Sequence, residues 1–261
     1  MKISHEVPRC LLEESKKFND YQYALVHLLE KDKEYEQHFL QCKEEGIPIY
    51  LDNSLHELGT AVGGDILLKW IEKLKPEHVF VPDVWGNANE TLKNALEWSR
   101  KAYPVETTPI AIIQANTLNE AEICYQEYKK VGYEKIAFPY GSSYYNSLFP
   151  HANRSIGGVL GRNYLLNRLY LNGTIKKGDR IHLLGTYCAF EFGLYRGVEY
   201  NIESIDTSNP IMASIEGLIY GPMGLFKKPL SNLNLSFEID KNDINLPLLY
   251  HNIDLFKQII R

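Results

Sequence analysis

Eight short, β-rich runs recur along the chain, at residues 2–5, 22–28, 47–52, 78–82, 109–114, 135–139, 180–185 and 201–206. Several contain continuous apolar stretches (VFV, IAII, IAF, IHLL), as parallel strands covered on both faces require. Parallel neighbours need a crossover long enough to hold a helix. Segments 64–74, 89–101, 118–131 and 156–171 provide apolar residues at helical spacing between the runs. This alternation predicts an α/β chain folded as a (β/α)8 TIM-like barrel, and 261 residues suit that fold, which takes roughly 250. A doubly wound open sheet competes, but no G-x-G-x-x-G follows the first run. Asn89 and Asn119, each just before a glutamate, are expected to start their helices, and Gly46 and Gly132 to follow helix ends.

No internal repeat and no Gly/Ser/Pro linker divides the chain, so a single domain is expected. Residues 1–222 are read as the catalytic barrel and 223–261 as a C-terminal extension packing on it. The extension alternates apolar residues and then turns amphipathic, which fits either closure of the barrel or burial against a second copy as a homodimer. With 44% apolar and 23% charged residues the composition is that of a folded, water-soluble protein. No window approaches the roughly 18–20 apolar residues of a membrane span. The opening MKISHEVPRC has no apolar signal core, so a cytoplasmic protein with no membrane partner is expected. Cys10, Cys42, Cys124 and Cys188 lie far apart without a C-x-x-C pair, which predicts reduced thiols rather than disulfides or a zinc knuckle.

The net charge of −5 is unevenly spread. Residues 1–150 hold 16 basic and 23 acidic side chains, residues 151–181 hold 6 and 1, and residues 182–261 hold 6 and 9. A basic stretch in an acidic protein suits phosphate contact, although a solvated helix face has the same composition. Polar residues also stand where apolar runs end: Asp52, Asp83, Gln114 and Asp206. In a barrel those positions form the C-terminal rim, where active sites assemble. A lone carboxylate there is as readily a helix cap, but four such groups on separate strands can converge. Carboxylates sharing a pocket shift one another's pKa, so that one donates a proton while another stays ionised. His5, His27 and His56 beside carboxylates allow a metal site, but none has a close helical ligand spacing, and structural histidines are expected.

These rim motifs resemble those of the tRNA-guanine transglycosylases and their relatives that insert 7-deazaguanine bases into DNA, over residues 47–210. Asp52-Asn53-Ser54-Leu55-His56 resembles the family's Asp-Ser-Gly-Gly-Phe strand end, and Asp206-Thr207-Ser208-Asn209-Pro210 its nucleophile motif. The resemblance implies Asp206 as nucleophile, Asp52 as general acid/base, Asp83 and Gln114 as base readers, and Gly141 and Gly185 in turns of the base pocket. Ser54 and His56 stand in the segment where the family carries its glycine pair and phenylalanine, and are expected to shape the pocket for the incoming base. The family's three-cysteine, one-histidine zinc cluster has no counterpart in residues 211–261, so no zinc and no cofactor are expected. The short chain is similar to compact phage-type members acting on DNA, which favours DNA over tRNA.

The implied reaction replaces guanine in a single-stranded or flipped-out nucleotide with a 7-deazaguanine base, through a covalent aspartyl-glycosyl intermediate. Arg154 and Arg162 are the expected phosphate contacts, with Lys176, Lys177 and Arg180 nearer the opposite end of the barrel. Tyr140, Tyr144 and Tyr145 are candidates to stack on a base. Two alternatives use the same barrel: a hydrolase of free nucleosides or nucleotides, and a non-catalytic nucleic-acid-binding subunit.

Overall fold

The computed structural model describes residues 1–227, 229 and 239–260. Its eight strands are β1 (Lys2–His5), β2 (Gln22–Leu25), β3 (Ile49–Asp52), β4 (His78–Phe80), β5 (Thr108–Ile112), β6 (Lys135–Pro139), β7 (Arg180–Leu184) and β8 (Asn201–Thr207). They form one parallel sheet in the order β1-β8-β7-β6-β5-β4-β3-β2, with helices in the crossovers. The expected (β/α)8 TIM-like barrel is therefore the observed fold. No helix among the described residues is long and apolar enough to cross a membrane.

The ladder is nearly closed. Between β1 and β2, side chains take the place of strand pairing: Asp20 accepts from the Ile3 backbone N–H at 2.8 Å, and Asn19 Oδ1 accepts from that of His5 at 2.7 Å. Asn19 Nδ2 in turn donates to the His5 carbonyl at 3.0 Å. Side chains then sort by strand alternation. Tyr23, Tyr50, Phe80, Ile110, Ile112 and Ala137 fill the barrel, whereas Ala24, Leu51, Val79, Ala111, Ile136 and Phe138 face the helices. Lys135 plugs the foot, fully buried, with Nζ 2.9 Å from the Tyr50 hydroxyl and 3.2 Å from Glu203, which also pairs with Arg180.

Two helix starts differ from expectation. Asn87 and Thr117, not Asn89 and Asn119, are the caps, accepting from the backbone N–H groups of Glu90 and Glu120, each at 3.1 Å. Asn89 and Asn119 already lie inside the first turn, where a side chain cannot reach forward to those free donors. Helix Leu246–Ile260 packs Leu249 and Ile253 against Leu11, Phe18 and Ile211. Its Asn252 bonds Ser214 and the Leu218 carbonyl, both at 2.9 Å, so this part of the extension belongs to the outer helical ring. The alternating stretch 231–237 lies outside the described residues.

Helix Arg154–Leu171 sits close enough to helix Tyr145–Leu148 that a Cβ on Gly161 would lie 2.2 Å from the Tyr145 carbonyl oxygen. We expect Gly161→Ala to destabilise the protein by about 1–3 kcal/mol through overpacking, despite alanine's better helix propensity. A denaturation midpoint equal to wild type would contradict this packing.

Candidate active site

At the C-terminal rim a cavity of about 380 Å³ opens among the strand ends. The ladder register brings its key groups to the last rungs: Asp52 opposite Leu25, and Asp206 between Ser4 on one side and Leu184 on the other. Of the residues singled out in the sequence, Asp52, His56, Asp83, Gln114, Gly141, Gly185 and Asp206 all line this cavity.

Asp52 accepts from the Tyr23 hydroxyl at 2.9 Å and from the Ser54 backbone N–H at 2.7 Å. Asn53, in the same turn, holds Asp83 through Nδ2 at 2.9 Å, and Gln114 Nε2 reaches the other Asp83 oxygen at 2.9 Å. The base-reading pair of the resemblance is thus prearranged as a bonded unit. The Gly86 backbone N–H orients the Gln114 carbonyl at 3.3 Å. On the opposite wall, His182 Nε2 lies 2.7 Å from Asp206 Oδ1, and its Nδ1 lies 2.8 Å from Ser204 Oγ. Burial drives the His182 pKa well below its usual value, helped by the charges of Lys135 and Arg162, so the ring is neutral. When Asp206 is ionised, the consistent tautomer has Nε2–H donating to it and Ser204 donating to Nδ1.

Three expectations need correction. Ser54 does not line the cavity: it is buried with φ 62°, its hydroxyl accepts from the His27 backbone N–H at 3.2 Å, and it serves Asp52 through its own N–H. Arg162 is not a phosphate contact. Its guanidinium is buried against Glu191 at 2.6 and 2.7 Å, and its remaining donors reach the Phe138, Leu184 and Gly185 carbonyls. Those bonds tie the ends of β6 and β7 together from behind the cavity. Tyr144 and Tyr145 are buried too, with the Tyr145 hydroxyl on the Pro139 carbonyl at 3.0 Å, which leaves Tyr140 on the cavity wall. Arg154 is exposed at the start of its helix and lies outside the cavity lining.

The cavity also contains residues not singled out for it, notably Glu6, Tyr23, Glu57 and Trp85. Glu6 was legible as the third member of the alternation Lys2, Ser4, Glu6, which points it inward beside Asp206. Five carboxylates line the space, and none of the described lysines or arginines does. Burial is the main cause of raised pKa values at Asp52, Glu57, Asp83 and Asp206: Asp83 rises to about 7 against the pull of Gln114 and Asn53, and Glu57 to about 9, reinforced by the charges of Asp52 and Glu6. Asp52 and Asp206 are both raised, again chiefly by burial, with the Asp206 charge adding to the rise at Asp52. Among the described residues no group of three or more His, Cys, Asp and Glu is arranged to hold a metal ion.

No protein-family model and no curated protein matches the chain. Among solved structures it is similar to a chain of the crystal structure titled Amycolatopsis orientalis BexX/CysO complex, at 10% identity and a TM-score of 0.47. That alignment covers 99% of this chain and 89% of the other. A likeness so distant carries no argument about chemistry, which rests on the cavity itself.

Two measurements test this geometry. Arg162→Ala strands Glu191 in the interior and is expected to cost about 3–5 kcal/mol, whereas Arg154→Ala leaves the denaturation midpoint unchanged. Raised folded-state pKa values mean that the native state holds these protons more tightly than the unfolded chain. The resulting stability is complete below the unfolded values of 3.8 and 4.5, and is lost as pH climbs through about 7 for Asp83 and about 9 for Glu57. The buried histidines, held neutral, oppose this trend below their unfolded value of 6.5, so the melting temperature should fall between about pH 7 and about pH 8. Asp206→Asn should add about 1–2 kcal/mol of stability at the alkaline end, a melting temperature higher by roughly 2–8 °C. A melting temperature that rises over this interval would contradict the burial of these acids.

Proposed function

We propose that the protein is a base-exchange transglycosylase, replacing guanine in a polynucleotide, DNA before tRNA, with a 7-deazaguanine base by double displacement. The observation that carries this reading is that Asp52 and Asp206, from β3 and β8, line one cavity with the bonded Asp83–Gln114 pair. Guanine offers N1–H and 2-amino donors to an ionised Asp83, and a 6-oxo acceptor to the second Gln114 N–H. The alternation of carboxylates matches the chemistry. Cleaving an N-glycosidic bond builds positive charge at the sugar C1′, which Asp206 stabilises and traps as an ester. His182 holds Asp206 Oδ1 and so orients the carboxylate for attack. Electrons of the C1′–N bond pass to the departing base, which takes a proton from Asp52. The incoming base returns its own proton to Asp52 as its nitrogen displaces Asp206 from C1′, so one glycosidic bond replaces another and the residues end as they began.

A second reading, cleavage of free nucleosides or nucleotides, is favoured by one observation. Arg162 is used up internally, so of the two arginines expected on phosphates only Arg154 remains exposed.

The test is incorporation of labelled guanine or 7-deazaguanine into single-stranded DNA, duplex DNA or tRNA. Asp206→Asn should abolish exchange with the fold intact, and activity within a few-fold of wild type would remove Asp206 as nucleophile. Asp52→Asn should also stop turnover and permit slow build-up of a covalent adduct on Asp206, read by mass spectrometry. Arg154→Ala should reduce the salt slope of polynucleotide binding by about one unit and raise KM more than it lowers kcat. An unchanged slope for every polynucleotide transfers the proposal to free nucleosides.

A further inference from the structure

The cavity holds one acid for which the exchange chemistry has no assigned task. Glu57 stands in the short helix Leu55–Leu58 that follows the Asp52 turn, and it lines the cavity. Its Oε2 is fully buried and makes no hydrogen bond to any described residue. A buried polar atom without a partner costs about 1–3 kcal/mol. The Glu57 side chain as a whole is half-buried and lines the cavity, so a turn of its carboxyl about the soft χ3 torsion brings that oxygen to a ligand atom that supplies the missing bond.

What that bond is depends on charge. Glu57 is faced by the carboxylates of Asp52, Glu6 and Asp206, with the phenols of Tyr35 and Tyr140 nearby and His56 beside it in sequence. The described lining has no lysine or arginine to compensate an added negative charge. Burial and its acidic neighbours keep the group protonated through neutral pH. A protonated carboxyl has an O–H to give, and Glu57 keeps its proton to higher pH than Asp83 does.

We propose that Glu57 is a specificity-determining residue, donating a hydrogen bond as a neutral carboxylic acid to an acceptor atom on the bound base. The inference rests on the base-binding reading above and deepens it. Asp83 and Gln114 engage the edge that carries N1, the 2-amino group and the 6-oxo group, while Glu57 reads an acceptor elsewhere on the ring system. Substrates that present a donor or a methyl group at that place leave the Glu57 hydroxyl unpaired and are rejected, because a site built around a hydrogen bond loses its penalty only when the bond is made.

The experiment is calorimetric binding of free guanine to wild type, Glu57→Gln and Glu57→Met, from about pH 7 to about pH 10, with thermal melts on each variant to show that it is folded. Glutamine keeps an N–H donor and does not titrate; methionine keeps the bulk and has no donor. We expect Glu57→Gln to bind within a few-fold of wild type at neutral pH, and Glu57→Met about tenfold more weakly. The ratio of wild-type to Glu57→Gln affinity should drop above about pH 9, where Glu57 ionises; the base's own alkaline ionisation cancels in that ratio. Methionine and wild type binding alike, or a ratio constant across the range, overturns the Glu57 assignment while leaving the base-binding reading intact. Failure of wild type to bind guanine at any pH overturns both.

Discussion

A parallel ladder that curls almost into a closed ring has a single inside, and every alternate side chain must go there. The rest of this structure depends on that constraint. Apolar and aromatic residues fill the middle of the barrel, and the foot is sealed by Lys135 with Tyr50 and Glu203. Polar residues placed two positions beyond an inward side chain therefore emerge at the rim. Asp52 follows Tyr50, Asp206 follows Ser204 and Glu6 follows Ser4, each by the same step of two. The closure concentrates acids that lie far apart in the chain into one partly dehydrated space.

Concentrating like charges away from water is unfavourable, and the protein meets the cost by partial protonation and by directed donors, with no lysine or arginine in the described lining and the Arg162 charge acting on Asp206 from behind it. Tyr23 and the Ser54 N–H serve Asp52, Asn53 and Gln114 serve Asp83, and His182 serves Asp206. Neutral donors support a carboxylate without filling the cavity, and they leave acids that can exchange protons near neutrality. The site is built at some expense of stability, as is common where groups are arranged for chemistry rather than for packing.

Arg162 shows how one residue type serves opposite ends in the same stretch. Its neighbours Arg168, Lys176 and Lys177 are exposed, as a basic surface would be. Arg162 instead turns inward on the helix, pairs with Glu191 and bonds three carbonyls at the ends of β6 and β7. A guanidinium has enough donors to satisfy several strand-end carbonyls at once, which suits it to bracing a rim whose backbone groups have run out of ladder partners.

The sequence by itself determined the architecture and the places where chemistry would appear. Continuous apolar runs separated by helical spacing carry the parallel strand and crossover pattern locally, and the strands around residues 2–5 and 135–139 and the helix at 64–74 were legible to the residue. The rim positions of Asp52, Asp83, Gln114 and Asp206 followed, because a strand end is a local property. Tertiary structure decided what a local pattern cannot carry. Whether Arg162 faces water or Glu191, whether Ser54 faces a ligand or Asp52, and whether Glu57 meets solvent or other acids all depend on packing between segments distant in the chain. Charge state was decided there too, since a pKa is set by burial and by neighbours that the linear order does not name.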